Sequence, residues 1–345
     1  MRLGKCLIIA FAFIVSILAA SAPQSFAIDA EARAQSIVRK NISLLDDIKY
    51  EHDARVALVM MKETAVPDLV GVAKNQKQKP SLRLTVINIL ADIKSPSSVD
   101  SLLDTIKESN VKIRRASARA LGMIGDKKAI DGLKAALTDF DAEVRYCAAR
   151  SLEQLSDPSL ADVFLKLTDD PDRRIKVLGV QGVGDIKDER GVEKLSAMTE
   201  DLDDEVRLNV AVSLGKIGSK AGITALNRLL EDRNINVRKE TLGAMGSVKD
   251  ASSVPFLIKV AERDARELRR AAIIALGEIG TDDVVPTLKK LLKDEVIDIR
   301  LSVIQAMAKI KKEEFAQDLR PLLTDESTRV RKEAELALNA IGSKG

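Results

Sequence analysis

The chain has 345 residues, of which 46% are hydrophobic but only 3% aromatic and none Trp, so its core must be built from Ala, Leu, Ile and Val, a composition suited to closely packed helices. Charged residues make up 31% and nearly balance at a formal net charge of +3, which excludes the large single-sign field that draws polyanions and so disfavours nucleic acid as a partner. With one His and two Cys, of which Cys6 lies in a segment expected to be cleaved, Cys or His ligation of a metal is excluded by count, because soft sites need three or four such ligands.

In chain order, residues 1–27 stand apart. Arg2 and Lys5 precede an apolar stretch over residues 6–20, broken only by Ser16, and small residues with the tripeptide Ser25-Phe26-Ala27 close the segment. This is the three-part layout of a secretory signal peptide. Cleavage after Ala27 fits the small-x-small rule, whereas the competing Ala20-Ser21-Ala22 site places Pro23 just after the cut. The mature chain is expected to begin at Ile28, outside the cytoplasm and in a bacterial periplasm. The alternative is a retained anchor, but the apolar stretch is shorter than the ~20 residues of a spanning helix, so no integral membrane span is expected after cleavage. Cys6 opens the apolar stretch rather than ending it, which argues against lipidation. Loss of Arg2 and Lys5 takes the formal net charge from +3 to +1, and Cys147 alone remains, so no intramolecular disulfide can support the fold.

Residues 28–66 read as an N-terminal helical cap or degenerate repeat, with helices over about residues 30–48 and 53–63. From residue 67 to residue 345 the chain repeats. An aliphatic residue precedes a basic one at Arg83, Arg114, Arg145, Lys176, Arg207, Arg238, Arg269, Arg300 and Arg331, each 31 positions after the last, without insertion or deletion. Seven residues after the basic position stand Leu90, Leu121, Leu152, Val183, Leu214, Met245, Leu276, Met307 and Leu338, and ten after it Ile, Leu or Val recurs. These positions share one stripe of a 3.6-residue helix, the second of each unit. Upstream, pairs three apart such as Val99 and Leu102, Ile130 and Leu133, or Ile223 and Leu226 mark a first helix. An acidic turn such as Thr138-Asp139-Phe140-Asp141 joins the two and caps the second, and Gly125, Gly218, Gly280 and Gly342 suit its left-handed stop. A 31-residue hairpin cannot bury its own apolar faces, so neighbours must stack. The expected fold is all-α, a right-handed α-solenoid (α-α superhelix) of about nine hairpins plus the N-terminal cap. Glu335 stands where internal repeats have Ala, Val, Leu or Ile, as a terminal face turned to water should.

The run Ile113-Arg114-Arg115-Ala116-Ser117-Ala118-Arg119-Ala120-Leu121-Gly122-Met123-Ile124-Gly125, seen again over residues 206–218, resembles HEAT repeats of the short kind, most closely the phycobilisome lyase HEAT-like repeats. The resemblance covers nearly the whole mature chain. It departs where the second Gly is missing in several repeats and where Lys176 replaces Arg. It implies a scaffold or adaptor for other proteins, or alternatively an accessory, chaperone-like subunit of a cofactor-attaching or modifying enzyme. It also implies that the second helices line the concave side.

The basic column invites a phosphate-binding reading, but Asp139, Asp170, Asp201, Asp232, Asp294 and Asp325 recur six positions before basic residues. A structural ladder of partly exposed Arg-to-Asp contacts is the stronger expectation, each worth about 1 kcal/mol or less, from the residue's own turn or the adjacent one. Positions one and five after the basic residue point away from the core stripe. There Arg115, Arg119, Arg150 and Tyr146 would form a basic patch with an aromatic centre, and Val177, Leu208 and Val212 an apolar strip beside it, together binding another protein or an extended peptide. No catalytic residue and no cofactor are expected. His52 is alone in the cap, Cys147 has no His near it in sequence, the acidic turns lack the alternating ligands and central Gly of an EF-hand, and the Gly residues end helices rather than open them. Oligomeric state is left open.

Overall fold

The structure is a computed structural model that describes residues 24–342; the predicted leader, apart from its last four residues, lies outside them. Twenty α-helices occupy the described residues. Three lead in: α1 (Gln24–Leu44), α2 (Glu51–Met60) and α3 (Val66–Lys74). A second helix then alternates with a first helix. In the N-terminal part these are α4 (Pro80–Ile93), α5 (Val99–Thr105), α6 (Val111–Ile124), α7 (Ile130–Ala136) and α8 (Ala142–Leu155). There follow α9 (Ala161–Leu167), α10 (Arg173–Ile186), α11 (Gly191–Ala197), α12 (Asp204–Ile217), α13 (Ile223–Leu229) and α14 (Ile235–Val248). The chain continues through α15 (Val254–Arg263), α16 (Arg266–Ile279), α17 (Val285–Leu291), α18 (Ile297–Ile310), α19 (Phe315–Leu319) and α20 (Thr328–Ile341). The architecture is an α-solenoid of helical hairpins.

Each second helix has 14 residues, and its ends are written in the sequence. At its start the side chains of Asn110, Asp141, Asp172, Asp203 and Asn234 accept amide hydrogen bonds from the first turn, satisfying donors that have no partner within the helix. At its end the next residue is left-handed in every repeat, whether Gly, as at Gly125 and Gly218, Lys, as at Lys94, Lys187, Lys249 and Lys311, or Ser, at Ser156. The predicted first cap helix ends at Leu44, four residues short of the expected Ile48; Asp47 Oδ1 accepts the Lys49 amide at 2.9 Å, and the turn that this bond closes leads into α2.

The helices of the described residues form two compact units, one up to Asp157 and the other from Pro158. In the first, α4, α6 and α8 pack in succession, and α1 and α2 extend the order, α2 lying on α4 as one second helix lies on the next. In the second, α10, α12, α14, α16, α18 and α20 pack in succession. Ile113, Leu121, Val144, Leu152 and Leu133 are fully buried in the first unit, and Phe164, Ile175, Val206, Leu226 and Phe315 are at most 1% exposed in the second. Close approach is set by a small-residue column on the second helices. A Cβ on Gly122 would lie 2.3 Å from Ser151 Oγ, and one on Gly215 would lie 2.8 Å from the Ala244 Cα, so these positions admit the neighbouring helix only as Gly.

Candidate functional site

Each basic residue of the repeated column is the fourth of its second helix and points into the seam between hairpins. In the first unit Arg114 donates through Nε and Nη2 to both carboxylate oxygens of Asp139, at 2.7 and 3.0 Å, and through Nη1 to the Glu108 and Ser109 carbonyls at 2.9 and 2.8 Å. In the second unit Arg207 repeats the pattern with Asp232 at 2.6 and 2.9 Å and with the Asp201 carbonyl at 2.7 Å. The same Asp closes its own turn: Asp139 Oδ1 accepts the Asp141 amide and Asp232 Oδ1 the Asn234 amide, both at 2.8 Å. The carboxylate partner therefore comes from the adjacent repeat, 25 positions ahead, while the turn six positions behind supplies backbone carbonyls. Lys176, with a point charge in place of a fork, bonds Asp201 at 2.9 Å.

Two features of this ladder differ from the sequence expectation. Its best-formed pairs are buried rather than partly exposed, with side-chain exposures of 5% and 12% for Arg114 and Asp139 and 6% for both Arg207 and Asp232. Loss of one partner would strand a buried charge, a cost of about 3–5 kcal/mol rather than the ~1 kcal/mol of a surface pair. Burial pushes the Asp139 and Asp232 carboxyls up, but the hydrogen bonds from Arg114 and Arg207 and from the turn amides outweigh it and leave both below the ordinary carboxylate range. Within the second unit the ladder also falters at Arg238, where Arg263 stands in the Asp column: Arg238 pairs with Asp264 at 3.5 Å, and its Nε is buried without a hydrogen-bond partner.

The outward positions of the second helices divide differently from the expected patch and strip. Arg115 is committed to structure: Nε and Nη2 donate to Asp141 at 2.9 and 2.6 Å, and this bond holds the Asp141 carboxyl down at about 2. Arg119 and Arg150 are exposed, and their hydrogen bonds go to neutral groups. Arg119 Nη2 donates to Asn88 Oδ1 of the preceding repeat at 2.5 Å, and Arg150 Nη1 to the Tyr146 hydroxyl at 3.3 Å. The expected apolar strip is not an exposed surface. Val177 is buried at 7%, and Leu208 and Val212 are half-buried, because these positions turn partly toward packed neighbours. In the second unit the exposed aliphatic of the same column is Ile274, one repeat beyond Gly243, whose missing side chain would meet nothing within 4 Å.

Sequence reasoning passed over Phe140 and Leu202, 86% and 90% exposed at the tips of acidic turns, although an apolar residue between two Asp is a readable signal. The Arg114 guanidinium lies 4.7 Å from the centre of the Phe140 ring. Elsewhere, a groove of about 650 Å³ between α9 and α11 is lined by charges that already pair, Arg190 with Asp162 at 3.0 Å and Lys194 with Asp169 at 2.5 Å. His52 is exposed on α2 and Cys147 is half-buried on α8. Among the described residues no group of three or more His, Cys, Asp or Glu could hold a metal ion, and no helix is long and apolar enough to cross a membrane.

The stacked hairpins with their arginine seam define a helical repeat protein. The chain matches the HEAT repeats over residues 66–146, 130–202, 192–271 and 254–339, and it belongs to that family. Comparison with curated proteins finds no match. Among solved structures, an engineered protein is similar at 22% identity and a TM-score of 0.52, covering 90% of this chain and 100% of its own. The karyopherin Kap121p is similar at 15% identity and a TM-score of 0.61, over 91% of this chain and 41% of its own. Kap95p, solved with RanGDP, is similar at 13% identity and a TM-score of 0.64, over 96% of this chain and 55% of its own. At these identities the likeness is one of fold.

Proposed function

We propose that this chain is a non-enzymatic scaffold that holds another protein, or an extended peptide, against the outward face of its second helices. The observation that carries the reading is the pair Arg119 and Arg150, which the repeat does not need for packing and which are exposed yet positioned by neutral partners. A rigid array presents such side chains already ordered, which lowers the entropy lost on binding. The fold it shares with Kap95p, a protein whose structure was solved with RanGDP, supports a role in binding protein. The signal-like segment over residues 1–27 supports action outside the cytoplasm, in a periplasm.

The test is crosslinking in the native host followed by identification of the captured partner. With Arg119→Glu and Arg150→Glu together, the crosslinked species is expected to disappear while thermal melting stays unchanged. Retention of the same species by that variant would overturn the assignment of this face. Recovery of the chain in the cytoplasmic fraction would overturn the location.

A further inference from the structure

We infer that the segment bound at the first unit's outward face is acidic and extended, with carboxylates recurring at every third residue; this rests on the scaffold reading above. The arginines of this face sort into two groups. Arg55 is neutralised by Asp92 at 2.6 Å and Arg115 by Asp141 at 2.6 Å. Arg119 and Arg150 instead spend one N–H each on the Asn88 amide oxygen and the Tyr146 hydroxyl. A guanidinium carries five N–H donors in a fixed fork, so both retain most of their donors and their full charge. The neutral partners restrain the side chains without cancelling them. That arrangement suits a carboxylate brought by a ligand, since a bidentate Arg-to-carboxylate pair is among the stronger hydrogen-bonded contacts available at a surface.

Spacing narrows the ligand. Arg119 and Arg150 both occupy the ninth position of their helices, α6 and α8, which pack directly on each other. Helices in contact lie about 8–10 Å apart. A polyproline II strand advances about 3.1 Å per residue and returns to the same side every third residue, so acidic residues at i and i+3 stand about 9 Å apart on one face. Arg119 leans toward Asn88 on α4 while Arg150 is held over its own helix by Tyr146, so the two guanidiniums lie at least one helix spacing apart, and an acidic segment with a carboxylate at every third residue presents one to each.

The probe is a fluorescein-labelled peptide in which Asp alternates with Pro-Pro, titrated into the full chain and read by fluorescence anisotropy. The expected result is saturable binding that weakens about tenfold or more between about 0.02 M and 0.3 M salt. A peptide with Asn in place of each Asp is expected to bind at least about tenfold more weakly. Arg119→Glu with Arg150→Glu should abolish binding, whereas Lys239→Glu, an exposed cation of the second unit, should leave it unchanged. Should charge reversal impair folding by circular dichroism, Arg119→Gln with Arg150→Gln removes the charge without reversing it and should bind at least about tenfold more weakly than the parent. Equal binding of the Asn peptide, or full binding by a folded double variant, overturns the inference. If the peptide fails to bind but the double variant still loses its crosslinked partner, the acidic inference falls and the scaffold reading stands. If crosslinking is also unchanged, both fall.

Discussion

The residue that closes each second helix shows how a single backbone angle constrains a column of sequence. Lys187 holds φ at 59° and Gly218, one repeat later, at 73°. A left-handed conformation costs an L-residue about 1–2 kcal/mol and costs Gly almost nothing. Replacing the exposed Lys187 by Gly is expected to stabilise the chain by about 1 kcal/mol, a rise in thermal melting temperature; an unchanged or lower value would contradict it. A second residue-scale effect concerns acid. The Arg115 hydrogen bond, helped by the amides at the start of α8, lowers the Asp141 carboxyl from 3.8 to about 2. A carboxyl depressed on folding stabilises the native state above its ordinary value and loses that contribution as pH falls through the folded value. The window is thus about pH 4 down to about pH 2. Arg115→Gln should melt lower than the parent at neutral pH, with the gap closing across that window. A gap that persists at pH 2 would assign the loss to packing instead.

At the scale of elements, the seam between hairpins combines a charged half and a close-packed half. Arg207→Ala would strand the buried Asp232 carboxylate, and a loss of about 3–5 kcal/mol is expected in denaturant unfolding. Lys194→Ala removes an exposed pair with Asp169 and should cost less than about 1 kcal/mol. Equal effects of the two substitutions would show that burial does not set the worth of the ladder. On the apolar side, Gly215→Ala places a Cβ 2.8 Å from the Ala244 Cα, so two helix backbones must separate. Overpacking of this kind costs about 1–3 kcal/mol, despite the better helix propensity of Ala, and the same unfolding measurement reads its sign.

Within each unit, helices pack chiefly on those of their own and the adjacent hairpins. Stability in such an array is a sum of repeat and nearest-neighbour terms, so it is lowest where a neighbour is missing. Among the described residues of the second unit, α20 packs on α18 alone of the second helices; Glu335 is exposed, and Leu336 is 54% exposed. Amides of α20 are expected to exchange with deuterium before those of α12 and α14, which are packed on both sides, and uniform protection over these three helices would contradict a nearest-neighbour array. The break in the ladder at Arg238 and Arg263 is tolerated on the same ground, because one weakened seam still has packed hairpins on either side.

The nine hairpins were legible from the sequence because everything that makes one is local. The i, i+3 and i+4 stripes, the Asp or Asn at the start and the Gly at the stop all act within a turn or two of the residue that carries them, and a period of 31 shows itself by repetition. What lay between hairpins was not legible. That Arg114 reaches Asp139 ahead of it, that Gly122 is small for Ser151, that Asp141 cancels Arg115 while Arg119 and Arg150 keep their charge, and that Val177 is covered all depend on how closely adjacent helices approach and at what rotation. A sequence column specifies which way a side chain points along its own helix. Only the packed structure decides what stands opposite it, because burial and charge pairing are properties of two neighbouring surfaces rather than of one strand of sequence.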